Sequence, residues 1–475
     1  MTPLYLQPEN NRRLFKKMHL IRLLLSLLIP LVIGLSLLKI LFPKKYLPKG
    51  LTIALGYGCG AGILTQWMLM IGGCGLGLTL ANIALPLIII SALLLWISRM
   101  KNKQTSLHPN LPFYSLPDSS LKTAKEKMLG ALLCIFILYY LVIIIWRAVN
   151  IPVYEWDVIA TIAFKARVFF FDSHLVAPKH LPHSSYPLHV SLLETWTAIS
   201  IGEWNDQLIK LIFPVFCASY LIVHYYFLRF FTNALWALIG TALTVSAHQF
   251  VSYGTIGYQE IVMLYYNCCA VIILAVWAKT RNTEFLILAS LLSGFVTFTK
   301  LEGMGYLWVH ATLVALILLS RKDSTPKNKL TSLGIYLVPC ISIYLLYMGY
   351  KIISGTPLTE RVGVDFSFSH LNRIPEIFST WLNLLFFSGN WNILWFLLAV
   401  SFLNLLNRKW SEEIRIVTIG LGLFFGLYFV LSVVNTSNYL SLVHSDAIEA
   451  FPRVVLHFFP LSTFLIALLN CPRKE

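Results

Sequence analysis

The chain has 475 residues, of which 57% are hydrophobic and 12% are charged, and its formal charge is +16. Soluble domains carry about 25% charged residues, so this composition excludes an ordinary water-soluble fold and predicts a surface that faces lipid. Most Lys and Arg residues lie in short stretches between apolar runs, with no basic stripe interleaved with aromatic residues, so nucleic-acid binding is not expected.

Apolar runs of about 20 residues, long enough to cross a bilayer, recur along nearly the whole chain. Backbone hydrogen bonds must be closed within lipid, and stretches such as 87–96 lack the alternation of barrel strands, so these runs are predicted to be helices. The eight cysteines lie within or at the ends of apolar runs, with no CxxC, so no disulfide framework is implied. The predicted fold is an all-α, polytopic transmembrane bundle of about 12 or 13 spans.

The first hundred residues contain three apolar runs, at about 20–42, 51–72 and 75–98. The first run is too long for a cleavable signal peptide and lacks a small-residue cleavage site. Three spans would place the basic N-terminus outside if 99–127 is inside, against the positive-inside rule. Two alternatives stay open: one glycine-rich run is re-entrant or interfacial, or the N-terminus is outside. We assign 1–126 to an N-terminal extension of two or three spans with a basic cytoplasmic loop, and 127–475 to a membrane core.

Ten further spans are predicted in the core, and the Lys and Arg residues between them mark the cytoplasmic turns. The predicted spans are 127–148, 207–230, 232–252, 259–279, 283–299, 303–320, 331–353, 384–406, 413–434 and 454–470. The opposite face then receives two long loops, 149–206 and 354–383. Short amphipathic helices are predicted in the first of these loops.

The first long loop opens with Tyr154-Glu155-Trp156-Asp157, which places Asp157 at the membrane surface. One interpretation makes Trp156 an aromatic-belt anchor and Asp157 the N-cap of a helix over 158–171. The other makes Asp157 a site residue, because ionisable residues at membrane depth are costly. The same loop carries further polar and aromatic residues, including Lys165 and Tyr186.

Three more polar clusters fall on the same predicted face as Asp157. They are Glu260 at the start of a span, Lys300-Leu301-Glu302-Gly303 between two spans, and His444-Ser445-Asp446 followed by Arg453. Because these clusters come from distant parts of the chain and share one face, the sequence predicts a single composite site.

The residue types at this site fit group transfer to a hydroxyl. A carboxylate such as Asp157 can act as general base, while Lys and Arg residues hold the phosphate of a leaving group. A polyisoprenoid donor would keep its phosphate at the interface, which is the depth predicted for these residues.

These elements resemble the glycosyltransferase C superfamily, and more narrowly the bacterial multi-span glycosyltransferases related to dolichyl-phosphate-mannose protein mannosyltransferases. The resemblance covers about residues 127–470. It rests on Trp156-Asp157, Tyr186-Pro187, Glu260, the Lys300–Gly303 element, and Arg453 with the downstream His457 and Pro460.

The resemblance implies an inverting hexosyltransferase that needs no metal or other cofactor. Asp157 would be its catalytic base and Glu260 a second acidic catalytic residue. Lys165, Tyr186, Lys300, Glu302 and Arg453 would bind donor or acceptor. The implied partners are the lipid bilayer, a polyprenyl-phosphate sugar donor and a lipid, glycan or protein acceptor. The implied location is a bacterial inner membrane with the site on the extracytoplasmic face, where such enzymes build lipopolysaccharide or other cell-envelope glycans.

Three alternatives are weighed against this interpretation. Histidines at 174, 180, 183 and 189 raise a metal site, but their spacing matches no tight ligand signature. A transporter or flippase would place ionisable residues or broken helices near mid-bilayer, whereas the charges here gather at one face. A glycan ligase or polymerase would need a large outer loop rich in Arg and His, and loop 354–383, with Arg361, His370 and Arg373, matches this only in part.

Overall fold

The computed structural model describes residues 9–42, 47–104, 121–358, 368–407, 410–434 and 445–472. Within these ranges every regular element is helical. The α-helices, in chain order, are α1 (Glu9–Leu41), α2 (Lys49–Gly73), α3 (Leu80–Gln104), α4 (Ala124–Asn150), α5 (Ala163–Asp172), α6 (His189–Ile201), α7 (Ile212–Phe231), α8 (Ala234–Ser246), α9 (His248–Tyr253), α10 (Glu260–Thr280), α11 (Thr283–Thr299), α12 (Gly303–Ser320), α13 (Pro326–Ile353), α14 (Ile374–Phe386), α15 (Leu394–Leu403), α16 (Glu412–Val434), α17 (Ser445–Leu456) and α18 (Pro460–Asn470).

The hydrophobic helices confirm the predicted polytopic bundle. Among the described residues nine helices are long and apolar enough to cross a membrane, and α17 and α18 form one further pair bent by 51°. Three shorter apolar helices, α8, α11 and α15, bring the number of hydrophobic segments in the described ranges to thirteen. The predicted spans at 232–252, 384–406 and 454–470 are each interrupted, so hydropathy located these segments but did not show their breaks.

Helix α10 forms the centre of the bundle, because its apolar window is buried on every side. Its two adjacent tyrosines reach the backbone of α2: the Tyr265 hydroxyl donates to the Ala54 carbonyl at 2.8 Å and the Tyr266 hydroxyl to the Gly58 carbonyl at 2.8 Å. Buried hydroxyls need such acceptors. The N-terminal helices therefore pack directly on the core, while the domain boundary at 126 stays a prediction.

The glycines of the second apolar run serve helix packing. Helix α2 is unbroken, and α1 crosses it with the two backbones in contact. A Cβ atom at Gly34 would lie 1.7 Å from the Gly56 carbonyl oxygen, and one at Gly60 would lie 1.7 Å from the Pro30 carbonyl oxygen. Small residues allow this close approach of membrane helices. The re-entrant alternative is therefore not the observed structure of this run.

The two ends of the bundle differ in their charged residues. We call the end of the bundle at which α10 begins and α11 ends the site end. The opposite end is rich in cations, including Arg321, which lies 4.3 Å from the Trp277 ring, and Arg281, which pairs with Asp323 at 3.4 Å. Such basic turns are typical of the cytoplasmic face.

Helix α1 begins at the site end. Arg22 donates to the Ile201 carbonyl at 3.1 Å, just before the chain enters α7. At the other end of α1, Phe42 packs on Phe285 near the start of α11, with ring centroids 5.1 Å apart. The sequence left two alternatives open for this region. In the structure α1, α2 and α3 are all continuous helices, and α1 starts at the site end.

The first long loop contains the predicted short helices. A π-helical turn, Val158–Ile162, leads directly into α5, and α6 follows after a short 3₁₀ turn at Pro178–His180. Helix α6 is buried on nearly every face, because α1, α2 and α5 pack around it. This loop is thus part of the protein core beside the site.

Candidate active site

Four separate parts of the chain bring charged side chains together at the site end. Arg453 on α17 is at the centre: its Nη1 lies 3.1 Å from Asp157 Oδ2 and its Nη2 lies 3.0 Å from Glu260 Oε1. Lys300, between α11 and α12, places its Nζ 3.3 Å from Glu260 Oε1 and 3.1 Å from Glu302 Oε1. We call these five residues the charge cluster.

Glu260 is the buried anchor of the charge cluster. Its side chain has no exposed surface, and Oε1 accepts from Arg453 Nε at 3.1 Å as well as from Nη2 and Lys300. Its Oε2 has no hydrogen-bond partner among the described residues. A buried carboxylate is stable only when its charge is compensated, so Glu260 fixes both cations in place and they in turn keep it ionised.

Asp157 is the accessible carboxylate of the charge cluster. Its side chain is 47% exposed, and it makes no capping hydrogen bond to the following π-turn. The π-turn instead involves its main chain, because the Thr161 hydroxyl donates to the Asp157 carbonyl. The N-cap interpretation is therefore not what the structure shows. Single π-turns often mark functional sites. The neighbouring Trp156 is 77% exposed, as an aromatic-belt residue would be.

Lys300 and Glu302 lie on the tight turn between α11 and α12. The turn closes against the end of α11: a Cβ atom at Gly303 would lie 2.1 Å from the Val296 carbonyl oxygen. This close approach explains the glycine of the Lys300–Gly303 element. Burial lowers the pKa of Lys300, but the carboxylates of Glu302 and Glu260 outweigh burial and leave that pKa above its usual value. Lys300 is therefore a cation across the physiological pH range.

Tyr258 is a site residue that the sequence did not single out. Its ring lies 4.4 Å beneath the Arg453 guanidinium, and its hydroxyl donates to Asp157 Oδ2 at 3.3 Å. Burial raises the pKa of Tyr258, so the phenol stays a donor. A tyrosine two residues before an acidic residue at a span end is ordinary in membrane proteins, and only the fold reveals that it supports the arginine.

Lys165 and Tyr186 lie together in the first long loop. Lys165 is buried, donates to the His183 carbonyl at 2.6 Å and lies 5.8 Å from the centre of the Tyr186 ring. Tyr347 of α13 donates to the Ser185 carbonyl at 3.0 Å. These contacts fix the loop around Tyr186-Pro187, and none of them is with the charge cluster.

His457 lies one turn after Arg453 and is fully buried. Its Nδ1 and the Tyr428 hydroxyl each lie 2.7 Å from the Tyr306 hydroxyl, and its carbonyl accepts from Asn267 at 2.9 Å. This chain of polar groups links α17 to α10, α12 and α16. The histidine of the C-terminal element therefore holds the helix that carries Arg453.

The histidines of the first loop do not form a cluster. His189 is buried and its Nδ1 lies 2.6 Å from the Thr65 hydroxyl, whereas His174 and His180 are exposed. In the part of the chain that the structure describes, no three His, Cys, Asp or Glu side chains are grouped as metal ligands. His444 and Arg361 lie outside the described residues, and so do the side chains of Ser445, Asp446 and His370.

The arrangement combines a half-exposed carboxylate with two partly buried cations. Lys300 is 13% exposed and Arg453 17%, so both can be reached from the site end, and both are held by a carboxylate that cannot be reached. Such a site can accept a proton at Asp157 and bind an anionic group at the two cations.

No family model matches the chain, and no curated protein matches it. Among solved structures the chain is similar to ArnT from Cupriavidus metallidurans, whose crystal structure contains bound undecaprenyl phosphate. The TM-score is 0.51 at 10% sequence identity, and the match covers 71% of this chain. It covers 60% of the ArnT chain, so this chain matches less than two thirds of that protein. The two chains share a fold.

Proposed function

We propose that this integral membrane protein, which has the fold of ArnT, is a glycosyltransferase C enzyme that moves a sugar from a polyprenyl-phosphate donor to a hydroxyl of a lipid, glycan or protein acceptor. The observation that carries the proposal is the charge cluster: Asp157, accessible, shares Arg453 with the buried Glu260 at one end of an apolar bundle. The ligand bound in the ArnT crystal structure, undecaprenyl phosphate, supports the donor class.

In the proposed reaction Asp157 removes the proton of the acceptor hydroxyl as that oxygen attacks the anomeric carbon. The bond from this carbon to the donor phosphate breaks, and the polyprenyl phosphate leaves with the bonding electrons. A single displacement of this kind inverts the anomeric centre. General-base assistance contributes about 10²- to 10⁴-fold to such steps.

Arg453 and Lys300 would bind the phosphate of the donor. Arginine matches phosphate oxygens with two parallel hydrogen bonds, and lysine acts as a point charge. In the structure one edge of Arg453 is occupied by Asp157. A donor phosphate at that edge would displace the Asp157 carboxylate, so donor binding would release the base toward the acceptor.

The remaining predicted site residues would support these groups. Glu260 would hold both cations, Glu302 would orient Lys300, and Lys165 and Tyr186 would shape the loop that covers donor or acceptor. The proposed location is a bacterial inner membrane with the site end outside, because the cation-rich turns are at the opposite end of the bundle.

The test is sugar transfer by the purified protein in liposomes, with a panel of radiolabelled polyprenyl-phosphate sugars and a membrane lipid extract as acceptor. Asp157→Asn should lower the initial rate by about 10²-fold or more. Asp172→Asn is the matched control, because Asp172 is an exposed carboxylate of the same loop, and its rate should stay within about twofold of wild type.

Two results would count against the proposal. No transfer from any donor by wild type would favour a transporter or flippase, which the same liposomes test by following movement of the labelled lipid across the bilayer. Equal rates for wild type and Asp157→Asn would retain the enzyme but reject Asp157 as its base.

A further inference from the structure

Lys210 is a buried lysine that contacts the two loops leading to the charge cluster. It lies in the 3₁₀ turn Leu208–Leu211 that begins the span of α7, and its residue surface is fully buried. A lysine is almost never fully buried unless its ammonium is satisfied. The hydrogen bonds of Lys210 therefore show what the residue does.

The ammonium of Lys210 bonds to the backbone of two different loops. It donates to the Ile151 carbonyl, at the end of α4, and to the Thr255 carbonyl at 3.3 Å. The first loop continues to Asp157, and the second continues through Tyr258 to Glu260. One side chain thus connects the segments that carry both acidic residues around Arg453.

The two loops also pack on each other next to this lysine. Gly257 has φ +96°, and a Cβ atom at this position would lie 3.1 Å from Val158 and 3.7 Å from the Lys210 side chain. The residue after Asp157 is therefore close to the residue before Tyr258, with the aliphatic part of Lys210 alongside. Neither loop has the ladder of hydrogen bonds that fixes a helix, so the position of each depends on such cross-links.

Glu194 on α6 is not a hydrogen-bond partner of Lys210. Both of its carboxylate oxygens are buried without a hydrogen-bond partner among the described residues. Burial raises the pKa of Glu194 well above its usual value, Asp206 adds to this, and Lys210 opposes it. Glu194 is thus held mainly as the neutral acid, and the hydrogen bonds of Lys210 go to the backbone carbonyls.

We propose that Lys210 is a positioning residue that clamps the Asp157 loop to the Tyr258–Glu260 loop and thereby sets the spacing of the charge cluster. The catalytic consequence rests on the proposed function, whereas the clamp itself does not. In the transferase, loss of the clamp displaces Asp157 relative to Arg453 without removing a group that binds the donor. A small misplacement of catalytic groups is expected to lower turnover strongly.

The test compares Lys210→Met, Lys210→Arg and the matched control Lys351→Met in the purified full chain. Lys351 is also a buried lysine of the site end that donates to a loop carbonyl, that of Leu358 at 3.1 Å, but its loop carries no member of the charge cluster. Two measurements are made: amide hydrogen exchange of the segments 152–158 and 254–260, and steady-state transfer kinetics.

The clamp predicts faster exchange in both segments for Lys210→Met, kcat lowered by about tenfold or more, and a donor KM within about threefold of wild type. Lys210→Arg keeps a cationic donor and should recover most of the kcat. Lys351→Met should raise exchange only in its own loop, 354–358, and leave kcat within about twofold.

Exchange that rises in only one of the two segments, or in neither, would overturn the clamp, and so would equal kcat values for the Met and Arg variants. If Lys210→Met does not fold, Lys210→Gln replaces it in the same comparison with Lys210→Arg, and equal exchange in those two variants overturns the proposal. Absence of transfer by wild type refutes the proposed function alone, because hydrogen exchange still tests the clamp.

Discussion

The two carboxylates that share Arg453 should respond in opposite ways to loss of their charge. Glu260→Gln removes a fully buried carboxylate that compensates two cations, whereas Asp157→Asn removes one that is 47% exposed. The shapes of the side chains change little in either case. The expected result is that the first substitution mainly costs stability and the second mainly costs activity.

The magnitudes follow from burial. Breaking a buried ion pair by removing one partner costs about 3 to 5 kcal/mol, because the other charge stays buried without compensation. Glu260→Gln belongs to this class, since Arg453 and Lys300 both lose their contact with the carboxylate. An exposed pair contributes about 0 to 1 kcal/mol, so Asp157→Asn should lower the free energy of unfolding by less than about 1 kcal/mol.

The assay is unfolding of the purified proteins in mixed micelles by titration with SDS, followed with a thiol-reactive dye. Cys268 and Cys269 of α10 are buried and report loss of the bundle, while Cys74, just after α2, is exposed and gives the folded baseline. Equal losses for the two variants, or a larger loss for Asp157→Asn, would refute the assignment of Glu260 as the buried anchor.

Four further substitutions, one of them a control, test the structure. Gly60→Ala should destabilise the α1–α2 crossing by about 2 kcal/mol or more, because its Cβ would lie 1.7 Å from a carbonyl oxygen. The control Gly334→Ala, whose Cβ would have nothing within 4 Å, should be neutral or stabilising by up to about 1 kcal/mol. Equal effects of the two substitutions in the SDS titration would contradict this prediction. Burial lowers the pKa of His189 from 6.5 to about 3, so its contribution to stability is complete above pH 6.5 and is lost as the pH falls from there toward 3. The difference in unfolding free energy between wild type and His189→Asn should therefore shrink by about 2 kcal/mol from pH 8 to pH 5, and a difference that is independent of pH would show that His189 is not the titrating group. Arg453→Lys keeps the charge but not the planar fork that reaches two carboxylates, so sugar transfer should fall by about tenfold or more, and wild-type rates would show that charge alone suffices.

The charged residues of the site could be predicted because acidic and basic side chains from distant parts of an apolar chain fall on one predicted face. Asp157, Glu260, Lys300, Glu302 and Arg453 stand out against apolar neighbours, and the structure brings all five together. Their catalytic and binding roles stay predictions. Periodicity and hydropathy likewise predicted the helical bundle, because the cost of unpaired backbone groups in lipid leaves few other folds.

Other features could not be derived from one sequence. Lys210 is a single cation at the end of an apolar run, where a lysine that extends to the membrane surface is the ordinary interpretation. Its burial depends on two loops that are 45 or more residues away along the chain. The support that Tyr258 gives to Arg453 depends in the same way on long-range packing, about which local pattern carries no information.

Helix α10 is as apolar as a helix that faces lipid, yet its window is buried entirely within the protein. Burial within the protein does not by itself require such an apolar sequence, and α10 does carry two tyrosines, an asparagine and two cysteines among its apolar residues. During synthesis, however, α10 must partition into the membrane before α11, α12, α16 and α18 have been made. Each charged residue at the centre of an inserting helix costs about 2.5 to 3.5 kcal/mol at that stage. The composition of α10 therefore reflects its passage through the insertion machinery, and a polar substitution there can prevent membrane entry even where the finished bundle would tolerate it.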